Sequence, residues 1–359
     1  MKKIIFSFAF ILLAIIAFGQ QKVALNRNGT TEIYGGSNPF NDAYLAASSG
    51  DTIYLPGGNL PYPATIDKNL TIIGAGHYPA TTVATNRTVL NGTLYISGNA
   101  DNLHLEGVEI TGELHFLENQ KVDGVVIKRC RINSIYYAGN QTTPCINNTI
   151  RECVINATLH FSNAKSSMIS NNIIGSNVSN GSELGFSNNI FLLNAGAYIF
   201  NNVDNSSISN NIFFQQVLSP TLLIHTACEL STFSNNIFTG VPIVGSNTFV
   251  NNYNSIATAG LFVNQTGNTF DYNHDYHLVS PSTYLGLDGT QVGLYGGLFP
   301  YKESALPVNP NIVSKTIAPQ TNTGGELTIQ IQVKAQNNWF YPQLCGFCIF
   351  DKKDDRRIF

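Results

Sequence analysis

A six-residue phrase with a fixed order of apolar and polar positions recurs along the middle of the chain. In its sharpest form the phrase reads apolar, Ser, Asn, Asn, Ile, apolar. Sharp copies lie at 169–174, 186–191, 208–213 and 233–238, a looser copy lies at 249–254, and diluted copies lie at 105–110, 127–132 and 150–155. The intervals between successive copies drift from 16 to 25 residues. Such a pattern is typical of a solenoid with one copy per coil, because loops of different length separate its strands.

The phrase predicts strands, since it alternates with period two, is rich in Ile, Phe and Asn, and is too short for an amphipathic helix. We therefore predict an all-β fold in which short parallel strands form a β-solenoid. Stacked Asn side chains at one bend can hydrogen-bond to each other, and Asn tolerates the left-handed backbone of a tight turn. The predicted internal ladder is Asn172, Asn189, Asn211 and Asn236, continued toward the N-terminus by Cys153, Cys130 and Val108.

Composition and charge add a cellular setting. Charged residues make up 11% of the 359-residue chain, well below the roughly 25% of ordinary domains, which is typical of an extracellular solenoid. A formal net charge of −3 gives no electrostatic case for a nucleic acid or an anionic membrane surface. Residues 1–19 read as a signal peptide, with a basic start, an apolar run and the cleavage site Ala17-Phe18-Gly19. We expect a secreted, periplasmic or cell-surface protein with no membrane span after cleavage.

Two further elements are predicted to close the ends of the solenoid, because an open coil end is an unpaired strand edge. At the start, Pro39 in a first helical turn and Phe40, Ala43 and Tyr44 on one face predict a helical cap. Near the C-terminus, alternation across 327–334 predicts an amphipathic strand. The predicted divisions are a signal peptide at 1–19, the parallel β-helix at 20–300, a linker and closing strand at 301–336, and an atypical, poorly ordered tail at 337–359.

Stretches near both ends carry a family resemblance. A helix followed by Gly50-Asp-Thr-Ile, Leu55-Pro-Gly-Gly and Leu70-Thr-Ile-Ile-Gly-Ala-Gly resembles the opening of pectin-lyase-like right-handed parallel β-helix proteins. Asp275-Tyr-His-Leu and Gly293-Leu-Tyr-Gly-Gly are similar to the closing coil of secreted β-helix proteins common in Bacteroidetes. The resemblance covers roughly residues 35–335 and implies a right-handed parallel β-helix. The superfamily includes polysaccharide lyases, glycoside hydrolases, esterases and adhesins, so no single activity is implied.

A neighbouring strand after each bend predicts an exposed column of rings. If the alternate apolar residues of 113–116, 134–137 and 158–161 point inward, His115, Tyr136 and His160 point outward. In the superfamily that the chain resembles, the substrate groove usually lies along one sheet. The candidate binding face is Glu113, His115, Tyr136, Thr158 and His160, with Ser134 beside them. Ring faces there would stack on sugars and a His or Tyr would serve as a general base; the other reading is an ordinary exposed sheet surface.

Other chemically active groups are interpreted as structural. Glu106, Lys128 and Arg151 occupy one column and Glu109 stands over Arg131, which predicts a solvated charge ladder. His274, Asp275 and His277 lie close together without a second ligand cluster, so we predict no metal and no other cofactor. Cys130 and Cys153 occupy equivalent positions in successive coils. At the usual strand spacing they are compatible with either a disulfide or two stacked free thiols.

These observations favour an exported, non-catalytic protein that binds polysaccharide or contributes to adhesion along one face of the solenoid. Neither the gathered acidic residues of a calcium-dependent lyase nor the paired aspartates of a β-helix glycosidase is visible. The alternative is a polysaccharide lyase or glycoside hydrolase that uses His115, Tyr136 and His160. A third hypothesis is a structural spacer that binds nothing. The sequence does not determine the ligand, a partner other than polysaccharide, or the oligomeric state.

Overall fold

The computed structural model describes residues 21–140, 142–193, 198–215, 221–222, 228–242 and 245–335. Within these ranges the chain winds into a β-solenoid of about eight turns of stacked parallel coils. The predicted signal peptide at 1–19 and the tail at 337–359 lie outside the described residues. None of the described helices is long and apolar enough to cross a membrane.

Each coil contributes short strands to faces that we call A, B and C. Face A is a twelve-stranded sheet, parallel except at Val23–Arg27, which is antiparallel to both of its neighbours. Its strands, from the N-terminal end, are Thr30–Tyr34, Val23–Arg27, Thr52–Tyr54, Thr71–Ile73, His104–Glu106, Val126–Lys128, Thr149–Arg151, Met168–Ser170, Gly185–Ser187, Ser207–Ser209, Thr232–Ser234 and Thr248–Val250.

Faces B and C form one continuous sheet, because the long strands Glu109–Phe116 and Arg131–Tyr137 run from face B into face C. The other strands of face B are Gly58–Asn59, Thr88–Leu90, Val154–Ile155, Ile173–Ile174, Ile190–Leu192, Ile212–Phe214 and Ile237–Phe238. The other strands of face C are Thr65–Ile66, Leu94–Ile96, Leu159–His160, Val178–Ser182 and Phe200–Asp204. A separate parallel pair is formed by Thr221–Leu222 and Val241–Pro242.

The bend between faces A and B is held by the two adjacent Asn residues of the phrase, which have different tasks. The second Asn of each copy points inward, and its amide hydrogen-bonds to that of the next coil. Asn172 donates to Asn189 at 2.9 Å, Asn189 to Asn211 at 2.9 Å, and Asn211 to Asn236 at 3.0 Å. The left-handed backbone belongs to the first Asn, as at Asn171 with φ 53°. A residue at this position therefore points outward.

The interior is a column of stacked apolar side chains. Phe191, Phe213 and Phe238 stack at centroid distances of 4.8 and 4.7 Å, in the register of the repeat. The only described α-helix, Pro39–Ala46, buries Phe40, Ala43 and Tyr44 in the same cluster as the first coils. The described 3-10 helices are Pro79–Thr81, Pro281–Thr283 and Glu303–Ala305.

After the last coil the chain folds back along the outside of face B, and we call residues 261–308 the return segment. The fifth position of the phrase is apolar and points outward, so face B needs a second layer to bury it. The residues at this position are Ile173, Ile190, Ile212 and Ile237. They pack in a second core with residues of the return segment that include Phe262, Tyr276, Leu278, Val292, Leu294 and Tyr301. Its strands Phe262–Asn264 and Asp275–Leu278 pair in an antiparallel manner. The stretch that resembles a closing coil is therefore a cover over earlier coils.

The outward Asn residues bind this return segment. The Asn171 amide donates to the carbonyls of Leu294 and Gly296, both at 2.9 Å. Farther back, the Tyr272 hydroxyl donates to the backbone carbonyl of His77 at 2.9 Å, and His77 is completely buried. Burial lowers the pKa of His77 to about 3, with a further contribution from nearby arginines.

The predicted C-terminal strand is present as Ile329–Lys334, but it lies in a different setting. It pairs in an antiparallel manner with Asn311–Ile317, and all six of its residues are exposed. Asn311–Ile317 falls in the stretch that was expected to be a linker. Its apolar side chains Ile329, Ile331 and Val333 are more than half exposed and belong to neither core cluster of the described residues.

Cys130 and Cys153 are free, buried thiols. The backbone N–H of Cys130 lies 3.4 Å from the Cys153 sulfur, and each sulfur also contacts backbone carbonyls. Of the two arrangements left open by the sequence, the structure has stacked thiols and not a disulfide. The thiols replace the Asn amides at the N-terminal end of the ladder, where the Cys153 N–H donates to Asn172 Oδ1 at 2.9 Å.

Candidate functional site

Rings from four successive coils form an outward row on face C. His115 pairs in register with Tyr136, and Tyr136 pairs with His160. Their rings stack at centroid distances of 5.0 Å and 4.1 Å with interplanar angles of 18° and 5°. Tyr95 extends the row toward the N-terminus at 5.4 Å from His115, with a tilt of 59°. We call these four residues the ring ladder.

The geometry changes how the ladder meets a ligand. Tyr136 is covered on both faces, by His115 and by His160, so the interior of the ladder presents ring edges to solvent. The expectation that sugars stack on these faces is therefore wrong for the interior of the ladder. The two end rings each lack a ring neighbour on one side, since Thr65 of the preceding coil pairs with Tyr95 and Ser179 of the following coil pairs with His160. Tyr95 is 38% exposed and offers a stacking surface at one end.

A polar row accompanies the ladder. Glu113 pairs with Ser134 of the next coil, and Glu113 Oε2 lies 2.9 Å from His115 Nδ1. The Thr158 hydroxyl donates to Asn177 Oδ1 at 3.3 Å. The Tyr136 hydroxyl has no hydrogen-bond partner among the residues that the structure describes. This phenol is therefore a free donor and acceptor in the middle of the ladder.

The far end of the ladder continues into an open polar depression of about 460 Å³. Its lining is Gly139, Asn140, Ser162, Asn180, Gly181, Ser182, Asn202 and Asp204. The Asn180 amide donates to His160 Nε2 at 2.9 Å, and the Asn202 amide donates to Asn180 Oδ1 at 3.0 Å. Partial burial lowers the pKa of His160, although a backbone hydrogen bond at Tyr137 acts in the opposite direction. The lowered pKa favours the neutral ring at neutral pH. Ring ladder and depression thus form one continuous polar surface around His160, with the carboxylates of Glu113 and Asp204 toward its two ends.

The predicted charge ladder has the expected register but not the expected environment. Lys128 pairs with Glu106 and Arg151, yet Glu106 is completely buried and Lys128 is 8% exposed. Both carboxylates that flank this column form ion pairs with Arg129, which lies 3.0 Å from Glu106 and 2.7 Å from Glu152.

These two residues, Arg129 and Glu152, occupy the outward, left-handed position that is Asn in later coils. The return segment covers them, with the backbone N–H of Lys302 and of Val308 directed at Glu152 and Glu106. The interpretation as a solvated surface is wrong, and the group is a buried ion cluster.

The potential metal ligands near residue 275 lie within the return segment and bond locally. His277 Nδ1 lies 2.7 Å from Asp275 Oδ1, and the His277 ring stacks on Tyr295 at 3.7 Å. His274 contacts Thr266 and Tyr276. Across the described residues, no group of three or more His, Cys, Asp or Glu side chains is placed to hold a metal ion.

Sequence reasoning missed part of the candidate site, although a signal for it existed. Tyr95 lies between Leu94 and Ile96 as His115 lies between Leu114 and Phe116, twenty residues earlier. One coil forward from His160, its partner in register is Ser179, and Asn180 is the next residue. The phrase is weak in the first coils, which obscured Tyr95, and the strand Val178–Ser182 contains no aromatic residue, which obscured Asn180. Comparisons with protein-family models, curated proteins and solved structures found no match for this chain.

Proposed function

We propose that this is an exported protein that binds polysaccharide along face C without cleaving it. The observation that carries the proposal is the unbroken outward surface from Tyr95 through the ladder into the depression at Asn180 and Asn202. Aromatic rings flanked by amides and hydroxyls are suited to sugars, which offer apolar ring faces and many hydroxyl groups. A contribution to adhesion at the cell surface would follow from such binding.

The finer features of the fold belong to the same proposal. The apolar segment at 1–19 supports export, and the resemblance to pectin-lyase-like proteins supports a right-handed path of the coils. The helix Pro39–Ala46 supports a cap at the N-terminal end, because its buried side chains share a core with the first strands.

The spacing of carboxylates supports binding over hydrolysis. On the described strands of face C the carboxylates are Glu113 and Asp204. Four inter-strand steps separate their coils, or about 19 Å at the usual strand spacing. Glycosidases need two carboxyl groups within about 5 to 10 Å of each other across the scissile bond. Glu113 and Asp204 therefore do not form such a pair.

One observation favours a second candidate, a polysaccharide lyase. The Glu113 carboxylate orients the His115 imidazole at 2.9 Å, and Tyr136 lies on the ring's other side. A positioned imidazole beside a free phenol is suited to abstract a proton and to return one to a leaving group. This arrangement would serve β-elimination, which needs no second carboxylate.

The experiment incubates purified protein with acidic and neutral polysaccharides and follows retention, reducing ends and ultraviolet absorbance of unsaturated products together. We expect retention without product, weakened by His160→Ala. Met168→Ala is the matched control, since Met168 is 59% exposed on face A, away from the ladder. Product that disappears in His115→Ala would establish the lyase instead, and neither retention nor product would leave the spacer hypothesis.

A further inference from the structure

The charges around the ladder narrow the class of glycan. None of the described strand residues on face C is Lys or Arg, since Arg131 pairs with Val154 on the face B part of its strand. On the neighbouring turns, Lys121 pairs with Asp123 at 2.8 Å and Lys165 with Glu183 at 3.6 Å. Lys68, which follows the first strand of the face, is held by the backbone carbonyls of Tyr44 and Ala47, both at 2.8 Å. An anionic chain would therefore meet Glu113 with no opposing cation on the strands of this face.

The main cationic group of the protein is unavailable to a ligand on this face. Lys128 and Arg129 lie on and beside face A, pair with Glu106 and Glu152, and are buried beneath the return segment. The residues that in principle suit a polyuronate thus neutralise carboxylates inside the protein.

Hydrogen-bonding capacity, by contrast, lies along the whole surface. The free Tyr136 hydroxyl stands in the middle, and the amides of Asn180 and Asn202 line the depression. Tyr95 offers its tilted ring at the other end. Three inter-strand steps span Tyr95 to His160, about 14 Å along the solenoid axis. A chain crossing the strands would meet one stacking surface, then ring edges, then amides.

We propose that the ligand is a neutral polysaccharide lying along the solenoid axis, with a sugar ring on Tyr95 and hydroxyls bonded to Tyr136 and to the depression. This inference rests on the proposed function and adds the ligand class, the direction of the chain and the residues that select it. Selection against polyuronates comes from the carboxylate of Glu113 in a cation-free surface, and binding depends little on salt because no ion pair forms.

The test compares affinity electrophoresis in gels that contain a neutral β-glucan, a neutral xylan, polygalacturonate, alginate or chitosan, each at low and moderate salt. We expect retention by a neutral glycan at both salt concentrations and no retention by either polyuronate. Tyr136→Phe keeps the stacked ring and removes only the hydroxyl, so we expect about a fivefold loss of affinity. Tyr95→Ala should lower the affinity by a similar factor, because it removes the ring on which a sugar stacks. Met168→Ala should bind as the parent protein does.

The outcomes separate the two proposals. Salt-sensitive retention by a polyuronate or by chitosan that depends on Tyr136 would overturn the neutral ligand and leave polysaccharide binding in place. Neutral binding that is unchanged in both Tyr136→Phe and Tyr95→Ala would overturn the assigned surface. Failure of every glycan to retard the folded protein would overturn the proposed function itself. Circular dichroism and thermal unfolding of each variant confirm that lost binding is not lost folding.

Discussion

Replacing Asn211 with Ala tests the internal amide ladder at its centre. The Asn211 amide donates to the carbonyls of Phe186 and Ser209 and to Asn236 Oδ1, at 2.9 to 3.0 Å. Its own Oδ1 accepts the backbone N–H and the side-chain amide of Asn189, both at 2.9 Å. Asn189 and Asn211 are completely buried, so water does not replace the lost partners.

The expected loss follows from the groups that remain unpaired. The Asn189 backbone N–H would have no acceptor, and a buried orphan donor costs about 1 to 3 kcal/mol. The Asn189 amide keeps its bond to the Ile169 carbonyl at 2.8 Å, and Asn236 Oδ1 still accepts the residue 211 backbone N–H. With partial losses at these groups, we expect Asn211→Ala to lower the free energy of unfolding by about 2 to 4 kcal/mol.

Two further variants calibrate this value. Asn211→Cys should lower the free energy of unfolding by less than half as much as Asn211→Ala, because a Cys sulfur can accept the N–H of the preceding coil. The Cys130 N–H already lies 3.4 Å from the Cys153 sulfur at the equivalent position. Ser209→Ala should change stability by less than about 0.5 kcal/mol, since no hydrogen bond of the Ser209 hydroxyl occurs within the described residues.

Urea unfolding followed by circular dichroism measures all three variants, with the slope of each transition compared to test cooperativity. Solenoids sometimes unfold in parts, so a constant slope is required before midpoints are compared. If Asn211→Ala proves no less stable than Ser209→Ala, the hydrogen bonds of the ladder contribute nothing net and the argument is wrong.

Three other predictions concern buried polar groups. The pKa of His77 is about 3 in the folded protein and about 6.5 in the unfolded chain, so the unfolded chain is protonated first as the pH falls. Relative to His77→Gln, the free energy of unfolding of the parent protein should therefore fall by about 2 kcal/mol between pH 7 and pH 5. A difference in urea midpoints that does not change with pH would contradict this prediction. Glu152→Gln should lower the free energy of unfolding by about 3 kcal/mol, because it leaves the buried cations Lys128 and Arg129 with Glu106 as their remaining carboxylate partner in the cluster. Glu183→Gln, which shares the left-handed backbone but is exposed, should cost little, and equal losses would count against the buried cluster. Cys130 and Cys153 should resist a thiol reagent in the folded protein, because both are buried and burial raises the pKa of Cys153. After unfolding, both should be alkylated without a reductant, since they are free thiols. A disulfide-linked peptide pair found by mass spectrometry would disprove the free thiols.

The internal Asn ladder and the ring ladder show what a periodic sequence pattern can predict. Asn172, Asn189 and Asn211 could be aligned from the sequence because adjacent coils repeat one local geometry, and equivalent positions must stack. The same logic aligned His115, Tyr136 and His160. The pattern did not tell which of two consecutive Asn residues adopts the left-handed backbone, since both types of position favour Asn.

The return segment explains the main error. Glu106 and Lys128 were aligned correctly but interpreted as solvated, because nothing in a repeat indicates what packs on its outer surface. The apolar fifth position of the phrase was a signal that face B needs a cover, though it did not identify residues 261–308 as that cover.

The sequence by itself determined the coil, the register and the residues that face outward on each strand, because these follow from local alternation and from contacts between neighbouring repeats. Only the tertiary structure decided that Arg129 and Glu152 are buried, that ring edges and not ring faces of the ladder meet the solvent, and that the ladder opens into the depression at Asn180. These features depend on side-chain rotation and on contacts between segments more than a hundred residues apart, which no periodic pattern encodes.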